Sequence, residues 1–311
     1  MTYLALFSGS WDELSFFDFS IFNLKFLNIN SKELEDILLK MDFQKDRIIK
    51  QIKEIQEENG NSDKMQVLLP IDFLKETKEV DFWSVRNILL LIYPSDITLH
   101  YLLRFEKKED NIIYNGYTSY EFHQTGNAYD NYLCHYEREI ESVNTFIPIF
   151  FERIKKIKYA QSAFNSYLSS FFQNFLSMEF LNLCIALESS VEAHSELNYR
   201  IRRNTSILLT SEIDFANNIF KNINKIYSLR SKIVHSGKYK NEKINEYLPY
   251  LRNVVSRLIV EIISHNIENI TELNRILTMK GFGDNKSISD NYIEYKLNRS
   301  VCSNALVTEL N

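Results

Sequence analysis

Two side chains invite chemistry by their type and spacing: Arg230 and His235, at the ends of the run Arg230-Ser231-Lys232-Ile233-Val234-His235. An imidazole titrates near neutral pH and can take up a proton and return it. A planar guanidinium can hold two phosphate oxygens while negative charge develops on them. The pair therefore suits acid–base work at a phosphodiester, with no metal required. With 13 Arg and 6 His in 311 residues, chance supplies about 0.25 such pairs. The meaning of the spacing must come from its surroundings.

The element that carries both residues reads as a helix from Ser211 to Ser236, stopped by Gly237. Ser211 and Asp214 offer a capping box at its start. Its apolar positions are Ala216, Ile219, Phe220, Ile223, Ile226, Tyr227, Ile233 and Val234, a stripe of helical period. Arg230 interrupts the stripe on what should be its buried side, where an unpaired guanidinium is costly. Either Arg230 is paired inside a bundle, or the stripe opens there onto a polar cleft. His235 lies about 140° further round an ideal helix. For both groups to reach one ligand, the helix must end or bend, or a second copy of the chain must complete the site.

The composition supports a well-packed, helix-rich protein. Hydrophobic residues make up 45%, with 22 Phe and 18 Tyr, and only 7 Gly and 4 Pro are present. The net charge of −5 provides no global basic field. Three widely spaced cysteines, Cys134, Cys184 and Cys302, form neither a disulfide framework nor zinc spacing, which fits a reducing cytoplasm. The first residues lack the basic start of a signal peptide. No apolar run reaches transmembrane length, so no membrane partner is expected.

Taken in order, the chain reads as α+β. A small α+β domain spans residues 1–135, a helical bundle 136–278 and a polar tail 279–311. Phe17 to Ile21 and Phe22 to Phe26 alternate like half-buried strands. A helix follows from residue 31 to 58, then a short strand at 65–69, a helix over 81–93 and strands at 97–105 and 111–114. The bundle helices are expected at 137–158, kinked at Pro148, then at 164–192, 197–209, 211–236 and 246–277. The last would carry Pro249 in its first turn.

Three segments of the bundle carry a likeness. They are Cys184-Ile185-Ala186-Leu187-Glu188-Ser189, then Tyr199-Arg200-Ile201-Arg202-Arg203 with Leu208-Leu209, and Ile226-Tyr227-Ser228-Leu229-Arg230-Ser231-Lys232-Ile233-Val234-His235-Ser236-Gly237. Together, residues 164 to 270 resemble the HEPN superfamily, most closely its Apea-like bacterial branch. Ser236, standing between the histidine and the glycine, is a departure from the family's pattern. The likeness covers about a third of the chain and leaves the first domain without a role.

The resemblance implies a homodimeric, metal-independent endoribonuclease acting in phage defence or as a toxin. RNA would be the substrate, and an antitoxin or trigger protein a further partner. His235 would be the general acid/base and Arg230 the phosphate and transition-state stabiliser, supported by Glu188, Tyr227 and Ser231. No cofactor or metal is implied. The same family also contains non-catalytic dimerisation and nucleotide-binding modules, which is the alternative.

Other residues have plainer readings beside the functional one. Arg200, Arg202, Arg203 and Lys238 could grip RNA phosphates, or simply form a solvated face. Arg230 could be an interior arginine paired with Glu188, and His235 could merely favour a helix C-terminus. His123, Cys134 and His135 lack a second ligand pair and read as a loop.

Overall fold

The computed structural model describes residues 1–10, 14–40, 50, 65–73, 75–95, 97–108, 111–120, 137–191, 197–237, 239–283 and 310. The fold is α+β, an antiparallel sheet followed by helices. Two compact units divide the chain: Met1–Phe122 with Tyr129–Ile140, and His123–Ala128 with Glu141–Asn311. No helix among the described residues is long and apolar enough to cross a membrane.

In the first unit, β1 (Thr2–Ser8), β2 (Leu24–Asn28), β3 (Gln66–Pro70), β4 (Thr98–Lys108) and β5 (Asn111–Ser119) lie in the order β2-β3-β1-β4-β5. Every neighbouring pair is antiparallel. Leu4, Leu6, Leu27, Val67, Leu69, Leu103 and Phe105 form one apolar cluster with Leu34 and Leu38 of α1 (Lys32–Lys40). The alternating residues Ala5, Phe26, Leu68 and Leu102 are also buried, so the central strands are apolar on both sides. A second helix, α2 (Glu79–Ile92), packs against β4, and its Phe82 ring meets Tyr3 edge-on.

The strand expected at Phe17 to Ile21 is absent; single 3₁₀ turns stand at Leu14–Phe16 and Ser20–Phe22. The Asp18 carboxylate accepts the Ser20 N–H at 2.8 Å, and Asn23 adopts left-handed φ of 58°, which together turn the backbone out of extension. Phe17 and Phe19 are nevertheless buried, and Phe19 makes an isolated antiparallel bridge to Leu24, so the alternation marked packing with no strand built on it.

The helical unit contains α3 (Glu137–Arg153) from Glu141 onward, α4 (Lys158–Ser170), α5 (Leu176–Val191), α6 (Leu197–Leu209), α7 (Ile213–Ser236), α8 (Asn241–Ser264) and α9 (Ile270–Gly281). Within it α5 packs on α4 and α8, while α6 packs on α7 and α9. The helix α8 is buried along most of its length. Arg153 caps its C-terminus by donating to the carbonyls of Ile263 and Ser264, at 2.8 and 2.9 Å.

Several expected helices are divided differently. The 164–192 segment is two helices, broken at residues 171–175, where Phe171 and Phe172 tighten into 3₁₀-type bonds to Leu168 and Ser169. The 246–277 segment is also two. Asn266 at φ 50° ends one, and the Asn269 side chain accepts the Glu272 N–H to begin the next. Because α8 already starts at Asn241, Pro249 lies in the helix interior instead of its first turn. Pro148 is inside α3 as expected, but that helix ends at Arg153. The Ser211/Asp214 capping box does not form; Glu212 is the N-cap, and its N–H donates to the Thr210 hydroxyl. The helix expected over 31–58 is described from Lys32 to Lys40.

Buried ion pairs lie between and along the helices. Glu179 of α5 meets Arg252 of α8, both nearly sealed from solvent, and the Arg252 guanidinium lies 4.8 Å from the Phe171 ring centre. On α8, Arg257 reaches Glu261 at 2.6 Å and His265 approaches it at 3.5 Å. Burial alone would raise the Glu261 carboxyl, but Arg257 and His265 bring it down to about 2.

Glu179→Ala should strand the Arg252 charge and lower unfolding free energy by about 3–5 kcal/mol in denaturant titrations. In the sheet, burial pushes the His100 imidazole down to about 4 from 6.5, and Ser8 Oγ lies 2.6 Å from its Nε2. Between those values the unfolded chain binds more protons than the folded one. Stability of the sheet unit should therefore fall as pH drops from 6.5 to 4 and level off below, and His100→Gln should flatten that slope in thermal melts.

Candidate functional site

The site assembles where the end of α5 meets the second half of α7. Residues three apart on a helix share a face, so Tyr227 and Arg230 both face Glu188, in the last turn of α5. The Tyr227 hydroxyl donates to Glu188 Oε1 at 2.9 Å, and Arg230 Nε stands 2.9 Å from the same oxygen. The second contact is a charge contact without the alignment of a hydrogen bond, since the Nε–H has no in-line acceptor. The Arg230 guanidinium lies 5.9 Å from the Tyr227 ring centre. Arg230 and Glu188 are 26% and 22% exposed, so the pair stands at the rim and not in the core.

Behind this rim the site is closed. Cys184, one turn before Glu188, is fully buried, and burial pushes its thiol far above the usual range. Burial, then the neighbouring Cys184 and Glu188, push the Tyr227 phenol up in the same way. At neutral pH Tyr227 is thus a hydrogen-bond donor and not a base.

The other half of the motif faces elsewhere. The helix α7 is unbroken to Ser236, and Gly237 ends it in the left-handed region at φ 61°. His235 is exposed in the last turn. Five helical residues place it about 7.5 Å further along and 140° round from Arg230. Within one chain the two groups diverge. Ser231 is exposed, and so is Val234, at 51%, which takes Val234 out of the expected buried stripe.

The three arginines of α6 separate. Arg202 turns inward: its Nε donates to the Phe220 carbonyl at 3.1 Å, and its guanidinium lies 3.8 Å from the Phe220 ring centre. That contact engages the Arg202 guanidinium at Nε. Arg200 and Arg203 instead line a cleft of about 320 Å³ with Tyr199, Asn204, Asn274, Leu277 and Thr278. Lys238, His123, Cys134 and His135 lie outside the described residues. Among the described residues no group of His, Cys, Asp or Glu has the arrangement of a metal site.

Two features had no signal in the sequence. Asn274 and Thr278 reach the cleft from α9, 70 or more positions after Arg200 and Arg203. Leu310 of the tail is buried, its N–H donates to Asn222 Oδ1 at 3.1 Å, and Lys225 donates to its carbonyl. Both contacts fall on α7, upstream of Arg230.

No family model matches the chain, and no curated protein or solved structure does either.

In a Cys134→Ser/Cys302→Ser background, Cys184 should resist iodoacetamide at pH 8 until the chain is unfolded. Mass spectrometry finding native Cys184 labelled as fast as the denatured thiol would contradict the closed rim.

Proposed function

We propose that the helical unit is a HEPN-type, metal-independent endoribonuclease, acting in phage defence or as a toxin. The observation that carries this reading is Arg230 held at the rim by Glu188 and Tyr227, with an exposed imidazole ending the same helix. The Glu188 contact engages Arg230 at Nε. The two terminal nitrogens have no partner among the described residues, and these form the edge that grips phosphate.

The reaction needs only groups in the chain and in RNA. His235 takes the proton of the 2′-hydroxyl as the 2′-oxygen attacks phosphorus. The bond from phosphorus to the 5′-oxygen breaks, and imidazolium protonates the departing oxygen. Arg230 stabilises the charge on the phosphorane oxygens. Products are a 2′,3′-cyclic phosphate and a 5′-hydroxyl. Since Arg230 and His235 diverge on one helix, two copies of α7 must face each other for both to meet one phosphate. Exposed Met178 and Ile185, two turns apart on α5, give such a dimer an apolar face beside the site.

A second reading is favoured by the same ion pair. An Arg230 already matched by Glu188 also suits a non-catalytic dimerisation or partner-binding module, and the net charge of −5 suits it too.

Purified chain incubated with total RNA in EDTA should yield fragments with cyclic-phosphate ends. His235→Ala and Arg230→Ala should each reduce the rate by about 10²–10⁴-fold. Expression of the wild type should arrest growth, and Arg230→Ala should relieve the arrest. Identical RNA profiles from wild type and His235→Ala in arrested cells would sink the nuclease reading and leave the binding module.

A further inference from the structure

We propose that the cleft between α6 and α9 binds a nucleoside monophosphate unit: phosphate on Arg200 and Arg203, base against Tyr199, and polar edges on Asn274 and Thr278. The proposal does not rest on RNA cleavage. The lining residues include neither Arg230 nor His235, and no other imidazole or carboxylate.

Charge supports the phosphate end. Arg200 and Arg203 are three apart on α6 and so share a face. Neither has a carboxylate partner among the described residues, unlike Arg230, Arg252, Arg257 and Arg275, each of which meets a glutamate. Among the described residues Arg203 is held by a long 3.4 Å bond to Asn204 Oδ1. A terminal nitrogen of Arg203 lies 3.3 Å from where a Cβ on Gly281 would stand, so glycine there leaves the guanidinium its room. Two guanidiniums lining one cleft, with no anion on them among the described residues, are arranged to receive one.

Ring geometry supports the base end. Tyr199 is 53% exposed, yet its plane is set: it meets Phe220 edge-on at 6.1 Å, and Phe220 is in turn covered by Arg202. An exposed ring of fixed plane beside two arginines is a stacking surface next to a phosphate seat. Opposite, Asn274 and Thr278 are four apart on α9; Asn274 presents its amide, and the Thr278 hydroxyl, which donates to the Asn274 carbonyl at 2.8 Å, offers an acceptor, with buried Leu277 below. The cleft of about 320 Å³ is at the small end of ligand sites, the size of one nucleotide rather than of a folded strand. The cleft shares no lining residue with the site at Arg230, Glu188 and Tyr227.

The unit could arrive as a free nucleotide or as one nucleotide of a single strand, and calorimetry on the intact chain distinguishes the two. AMP should bind with one site per chain, and adenosine and inorganic phosphate should each bind at least about tenfold more weakly. Arg200→Ala with Arg203→Ala should weaken AMP at least about tenfold, and Tyr199→Ala severalfold. Thr278→Trp, which fills the cleft from the other wall, should abolish binding without touching an arginine. His235→Ala should leave AMP binding unchanged, so that loss of cleavage and loss of this site are read separately. AMP binding more tightly than 5′-phosphorylated pentaadenylate indicates a free nucleotide, and the reverse order a strand; either supports the cleft. No heat from AMP or pentaadenylate at millimolar concentration, or equal binding by the double-alanine and Thr278→Trp chains with native melting curves, overturns it.

Discussion

A guanidinium placed in an apolar stripe is folded in at least cost when an anion meets it. Glu188 supplies that anion for Arg230, and the helical unit depends on the match because it joins the end of α5 to the second half of α7. Tyr227 strengthens it by donating to the same oxygen, which leaves one carboxylate oxygen serving two helical neighbours. The sealed Cys184 behind shows which side is core. At a quarter exposed, the pair carries less desolvation cost than a core pair would, and the terminal nitrogens of Arg230 keep access to an outside ligand.

The same physical rule operates more strictly deeper in the unit. Glu179 with Arg252, and Arg257 with Glu261 and His265, are charges brought inside and matched there. All but Glu179 lie on α8 or at its end, and that helix is buried along most of its length, where an unmatched charge is costly. Against this background the two arginines of the α6–α9 cleft stand out. Where the core requires neutralisation, the rim tolerates open positive charge, because water screens it. Arg200 and Arg203, which meet no carboxylate among the described residues, stand at a cleft that an anionic ligand can reach.

The sequence by itself determined the order of sheet then helices, the extent of α6, the end of α7 at Gly237 and the misfit of Arg230 in its stripe. These follow from periodicity, glycine chemistry and the cost of burying charge, all local in the chain. Breaks inside apolar runs were not legible. At 171–175 three phenylalanines run through the break although Phe172 and Phe175 are exposed, and at 265–269 the break is made by the left-handed backbone of Asn266 and the Asn269 cap.

Only the tertiary structure decided partners. Which carboxylate meets Arg230, which of three neighbouring arginines turns inward onto Phe220, and that Asn274 and Thr278 close a cleft begun on α6 are matters of distance in space between residues far apart in the chain. The sequence fixes which side of a helix a residue occupies, because rotation per residue is constant. What lies opposite that side depends on how helices pack, and packing is a property of the whole fold.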